Sequence, residues 1–160
     1  VYTPQMIVDG RAEFPGGNRE MANRTIAVAA QSPKALVQLT LIEQSREETK
    51  AGRMRLRINA EAIPAISDGD TAEVLLAVTE SGLTTPVERG ENAGRRLSHT
   101  GVVRSLKVIG SVDFQSNSTF SGEASFDIGQ GMRRENARAV VFIQESMSKR
   151  IIGAATIKLN

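Results

Sequence analysis

The residues best equipped for chemistry lie between Thr84 and Gly110, in the stretch TTPVERGENAGRRLSHTGVVRSLKVIG. His99 is the only histidine of the chain, and an imidazole titrates near neutrality, as a general acid or base must. Arg89, Arg95 and Arg104 supply fixed positive charge, with Arg96 beside them. Gly90 and Gly94 flank Glu91-Asn92-Ala93, a pattern that turns the backbone tightly and exposes amide donors. Charge and N–H donors together suit an anion, and Glu88, Glu91 and Asn92 are placed to order the arginines. The same residues also read as a solvated loop of mixed charge, whose ion pairs contribute little. His99, which lacks an obvious nucleophile partner, reads first as a structural anchor of that loop. Ser98, Thr100 and Ser105 lie near it in sequence, but a catalytic triad is defined in space. The glycine spacing lacks the Gly-Lys-Ser/Thr of a phosphate loop. No catalytic residue is assigned.

Composition narrows the chemistry further. Cysteine is absent, which excludes disulfides, thiol catalysis and thiolate-bound metal within the chain. One histidine excludes a His-rich metal site, so neither metal nor cofactor is expected. Lys and Arg total 20 against 18 Asp and Glu, a net charge of +2, too balanced to imply a nucleic-acid partner. The basic stripe Arg53, Arg55, Arg57 lacks the interleaved aromatics of a single-strand binder and reads as the solvent face of a sheet. No apolar run approaches the ~18 residues of a membrane span. The chain opens on Val1 without a methionine or a signal peptide, and is expected to be a fragment or mature portion of something longer.

The elements that must position the charged stretch are mostly strands. Residues 1–33 differ from the rest: Gln5–Val8 and Arg11–Phe14 flank Asp9-Gly10, a two-residue hairpin signal. Asn18 then reads as the N-cap of a helix running through Gln31, closed by Ser32-Pro33. A hairpin with one helix leaves apolar faces half covered and must dock on something. From Lys34 onward seven strand patterns follow: Ala35–Glu43, Arg53–Ala60, Glu73–Thr79, Gly101–Ile109, Phe120–Ile128, Ala139–Gln144 and Arg150–Lys158. Arg53–Ala60 alternates cleanly, with Met54, Leu56, Ile58 and Ala60 on one face. The predicted fold class is α+β, mainly β: a strand-strand-helix unit at 1–33 and an antiparallel β-sandwich at 34–160.

Three separated segments carry a family resemblance. VYTPQMIVDGR at the start, VERGENAGRRLSHTGVVRSLKVIG in the middle and FIQE…IIGAA at the end resemble the secreted bacterial family known as domain of unknown function 1223, over essentially the whole chain. The first segment resembles the second half of a thioredoxin-like fold. The resemblance implies that residues 1–33 are the terminal ββα part of such a fold, and that the Cys-x-x-Cys half lies upstream of Val1. It also implies that Thr3-Pro4 forms a cis bond and helps to position substrate. From the residues alone, Pro4 merely starts an edge strand.

These readings point to a periplasmic or secreted bacterial protein. This chain is expected to be a thioredoxin-like remnant plus a β-sandwich that serves as an interaction or ligand module without redox activity of its own. A protein or peptide is the expected partner, and Arg89, Glu91, Asn92, Arg95, His99 and Arg104 form the candidate anion loop. The alternative is the substrate-positioning half of a thiol–disulfide oxidoreductase.

Overall fold

The computed structural model describes residues 4–43, 45, 47, 52–112 and 119–160. The chain opens with strands β1 (Gln5–Val8) and β2 (Ala12–Pro15), paired antiparallel about the Asp9-Gly10 turn. Both turn residues hold positive φ, 56° and 73°, the geometry that matches a two-residue hairpin to the twist of its strands. Helix α1 (Arg19–Ala29) follows. The Asn18 side-chain oxygen accepts from the Met21 amide at 3.0 Å, satisfying one of the donors a helix start leaves free. Glu20 sits in the first turn, where the helix dipole favours a carboxylate. The helix ends two residues earlier than its periodicity predicts, and Gln31 and Ser32 donate into a turn after it.

Two antiparallel sheets enclose the core. One contains β3 (Leu36–Leu41), β4 (Arg53–Glu61) and β9 (Phe120–Asp127), in the order β3-β4-β9. The other contains β5 (Ala72–Glu80), β8 (Val102–Val112), β10 (Ala137–Glu145) and β11 (Ile151–Lys158), in the order β11-β10-β5-β8. These are the seven strand patterns of the sequence. The structure adds a further hairpin, β6 (Leu83–Pro86) with β7 (Arg96–His99), where the sequence suggested only a charged turn.

Period-two alternation sends one side of each sheet inward. Met54, Leu56, Ile58 and Ala60 of β4 share one buried cluster with Val74, Leu76 and Val78 of β5 and Ala139, Val141 and Ile143 of β10. The solvent side of β4 is polar. Arg55 and Arg57 both pair with Glu123, at 3.0 and 2.8 Å, and Arg53 with Asp127 at 3.4 Å. The arginine stripe is therefore a solvated sheet face held by cross-strand ion pairs, as its alternation suggested.

The sheets approach each other at both edges. A Cβ on Gly153 of β11 would lie 2.8 Å from the Ala35 Cβ and 3.2 Å from a Val37 methyl carbon, so the bare backbone there lets β11 meet the start of β3. At the other edge a Cβ on Gly110 would strike the Phe120 ring at 2.7 Å, and Lys107 of β8 reaches across to the Ser125 carbonyl of β9.

The leading hairpin docks by its tip. The Ile151 amide donates to the Asp9 carbonyl at 3.0 Å, Lys34 pairs with the Asp9 carboxylate, and the Gly10 Cα lies against the Lys149 carbonyl. This small unit buries Phe14 and Ala22 but leaves Ile7, Met21, Ile26 and Val28 exposed.

Candidate functional site

The structure divides the predicted anion loop into a tip and a base. Arg89, Glu91, Asn92 and Arg95 stand exposed on the turn joining β6 to β7. The loop satisfies its own backbone. Gly94 donates to the Val87 carbonyl at 2.8 Å, Val87 to Arg95 at 2.9 Å, Ala93 to Gly90 at 3.0 Å and Arg95 to Asn92 at 3.1 Å. Gly90 and Gly94 hold φ of 84° and 79°, which only glycine adopts without strain. Those amides are committed within the turn, and among the described residues none of the tip's carboxylates pairs with its arginines.

The base is more ordered. His99 Nε2 lies 3.0 Å from Thr85 Oγ1 across the hairpin, and the His99 carbonyl accepts from the Gly82 amide at 3.1 Å. Arg104 sits on β8. The register between β5 and β8 shifts so that Arg104 has no partner on β5, and such a bulge re-aims the side chain it frees. Its guanidinium turns to Glu80, Nε to Oε2 3.7 Å. The anion loop's members thus fall at separate places, with Arg104 engaged by a carboxylate. Of the Thr3-Pro4 pair that the resemblance singled out, Thr3 lies outside the described residues, while Pro4 is exposed just before β1 and its carbonyl accepts from the Gly16 amide at 2.7 Å.

Glu80 went unnoticed in the sequence because it ends the apolar run of β5. It is 1% exposed. Its Oε1 accepts from the Arg133 amide at 3.0 Å, while Oε2 is buried without a hydrogen bond. Around it the chain is tightly cross-tied. Arg133 Nη2 donates to the Gly82 carbonyl at 3.0 Å, Ser81 donates to the Asn136 carbonyl at 3.1 Å, and Gly101 donates to Ser81 Oγ at 3.0 Å.

At the opposite end of the core, Glu145 is fully buried and fully partnered. It accepts from the Ser67 amide and hydroxyl, both at 2.9 Å, from Ser148 and from the Arg150 guanidinium. Burial pushes its carboxyl up, but the bonds from Arg150, Ser148 and Ser67 outweigh that and hold it at about 2. Asp70 beside it accepts from the amides of Thr71, Met147 and Ser148. Burial raises this carboxyl also, and the three backbone donors bring it below the usual value. This network fastens the β10–β11 turn to the segment before β5 and has the character of a structural lock.

The outward side of the four-stranded sheet is where the molecule departs from a plain scaffold. Its cross-strand rows run Ala154–Phe142–Leu75–Val108, Thr156–Val140–Ala77–Leu106 and Lys158–Arg138–Thr79–Val103. Two rows are almost wholly apolar. Val103, Leu106 and Val108 are 57%, 56% and 54% exposed, on a sheet whose other side is already the core. The third row ends in two adjacent cations. Among the described residues no helix is long and apolar enough to cross a membrane, and no cluster of three or more acidic or histidine side chains is placed to hold a metal ion.

These features define a mainly-β α+β protein in which one antiparallel sheet carries apolar side chains on both faces. The chain belongs to the family described as protein of unknown function (DUF1223), whose model matches residues 1–144, as the three sequence segments suggested. No curated protein matches the sequence. Among solved structures, a domain of the outer membrane lipoprotein Omp28 from Porphyromonas gingivalis is similar at 12% identity and a TM-score of 0.46, over 80% of this chain and 89% of that one.

Proposed function

We propose that this chain is an interaction module of an extracytoplasmic bacterial protein, which docks a protein or peptide segment on the outward face of its four-stranded sheet and has no redox activity of its own. The observation that carries the reading is the exposure of Leu106 and Val108 in register with Leu75, Ala77, Val140 and Phe142, with Val103 exposed in the next row. Monomeric proteins keep contiguous apolar patches small, and a larger one marks a contact surface. An open row of strand side chains favours a polypeptide over a small molecule, which prefers a concave site. In this reading residues 1–33 are the ββα end of a thioredoxin-like unit and 34–160 a β-sandwich. The extracytoplasmic setting rests on the family resemblance alone.

A photo-reactive side chain at Leu106, introduced in the native host, tests the reading. The expected result is a discrete protein adduct that disappears when Val103 and Val108 become Ser, and none from the same group at Arg55 on the ion-paired sheet. Equal labelling from both positions overturns it.

A second reading, the substrate-positioning half of a thiol–disulfide oxidoreductase, draws on Pro4 standing immediately before β1 in a strand-strand-helix order. A Cys-x-x-Cys encoded upstream of Val1 supports it; a Ser-x-x-Ser or no such segment counts against it.

A further inference from the structure

The third row of the outward face places Arg138 of β10 directly opposite Lys158 of β11. Like charges facing each other across a ladder destabilise it. Among the described residues no carboxylate lies within ion-pair distance of either side chain. By contrast, Arg53, Arg55 and Arg57 on the other sheet each face a carboxylate across the strands.

The two cations line a hollow of about 320 Å³ together with Ser81, Thr100 and Asn136. These polar groups are held in place by the cross-ties at the end of β5. Ser81 Oγ already accepts the Gly101 amide, which leaves its hydrogen free to donate. Asn136 satisfies its neighbours when its side-chain oxygen faces Arg133, accepting from Nε at 3.2 Å and Nη2 at 2.9 Å, which turns its NH2 away from that guanidinium. Hydroxyl and amide donors beside two fixed positive charges form a set matched to an oxyanion, because charge-assisted bonds to such a group are the strong ones. Glu135 is the one carboxylate on the rim. Glu80 points the other way, into the core, where Arg104 and the Arg133 amide face it.

We infer that the hollow beside Arg138 and Lys158 is an oxyanion-binding subsite, which takes a phosphate or carboxylate group. It adjoins the apolar rows but does not depend on their having a protein partner, so the two proposals fail separately.

The test is a titration of the full chain with inorganic phosphate and, in a second arm, acetate. It is followed by amide chemical shifts, against sodium chloride at equal ionic strength. The expected result is a saturable shift of the Ser81, Thr100 and Asn136 amides. The ion that saturates at lower concentration identifies the preferred group. R138Q/K158Q is expected to weaken that binding by roughly tenfold or more, the usual effect of losing a charged hydrogen-bond partner, with the remaining amide spectrum unchanged. R55Q on the other sheet is expected to bind as the parent does. No saturable shift from either ion, or an affinity that R138Q/K158Q leaves intact, overturns the inference.

Discussion

Glu80 and Glu145 end the two central strands of the four-stranded sheet and point into the same core from opposite ends. β5 runs from Ala72 to Glu80 and β10 from Ala137 to Glu145, paired so that each glutamate faces the other strand's opening alanine. One carboxylate is saturated with donors and the other has an oxygen with none. Their substitutions should differ accordingly. Glu145→Gln removes the partner of a largely buried guanidinium and is expected to cost about 3 kcal/mol, the scale of breaking a buried pair. Glu80→Gln keeps the acceptor for the Arg133 amide and gives up only a 3.7 Å contact with the partly exposed Arg104 guanidinium, so it should cost about 1 kcal/mol or less. Urea unfolding of the two variants checks the ranking.

The same asymmetry predicts the acid limb of stability. The Glu145 carboxyl titrates at about 2 in the folded protein, against 4.5 ordinarily. Its contribution is complete above pH 4.5 and is lost as pH falls toward 2, because the unfolded chain binds the proton first. Asp70, also lowered, acts in the same direction. Wild-type stability should therefore fall through this window, and Glu145→Gln should fall less steeply. Parallel slopes for the two proteins would contradict the assignment.

Gly10 should govern how the leading hairpin is held. A Cβ there would lie 1.9 Å from the Lys149 carbonyl oxygen, at a φ of +73°. Gly10→Ala is expected to lift the tip away and expose the Ile151 amide, which donates to Asp9. Hydrogen exchange at Ile151 should quicken markedly while amides within β5 and β10 keep their protection. Gly153→Ala makes the contrasting case. Its methyl would press on Ala35 between the two sheets, so a global loss of about 1–3 kcal/mol is expected, as for other overpacked cores.

The hairpin tip should be nearly silent in stability. Arg89 and Asn92 are exposed on a turn whose backbone bonds are its own. Arg89→Ala and Asn92→Ala should alter melting by less than about 0.5 kcal/mol, the usual range for surface changes. Leu76→Ala, at a wholly buried position, should cost about 2–5 kcal/mol. Thermal melts of the three variants settle the comparison.

Much of the architecture was legible in the order of the residues. The alternation of Arg53–Ala60 defined both faces of β4, the Asp9-Gly10 pair defined a hairpin, and Asn18 defined a helix start. Each of these signals is local: side-chain period, turn conformation and capping act within a few residues. The absence of cysteine fixed equally firmly what chemistry the chain lacks. Tertiary structure alone decided the rest. Leu75, Val108 and Phe142 lie inside apolar strand patterns, and only strand pairing puts them together on the outward face. Arg138 and Lys158 lie twenty residues apart and become neighbours only through the β10–β11 register. The bulge that aims Arg104 at Glu80 depends on two strands at once. Pairing and register are set by burial summed over the whole sheet, so no single stretch of sequence reveals which residues share a face.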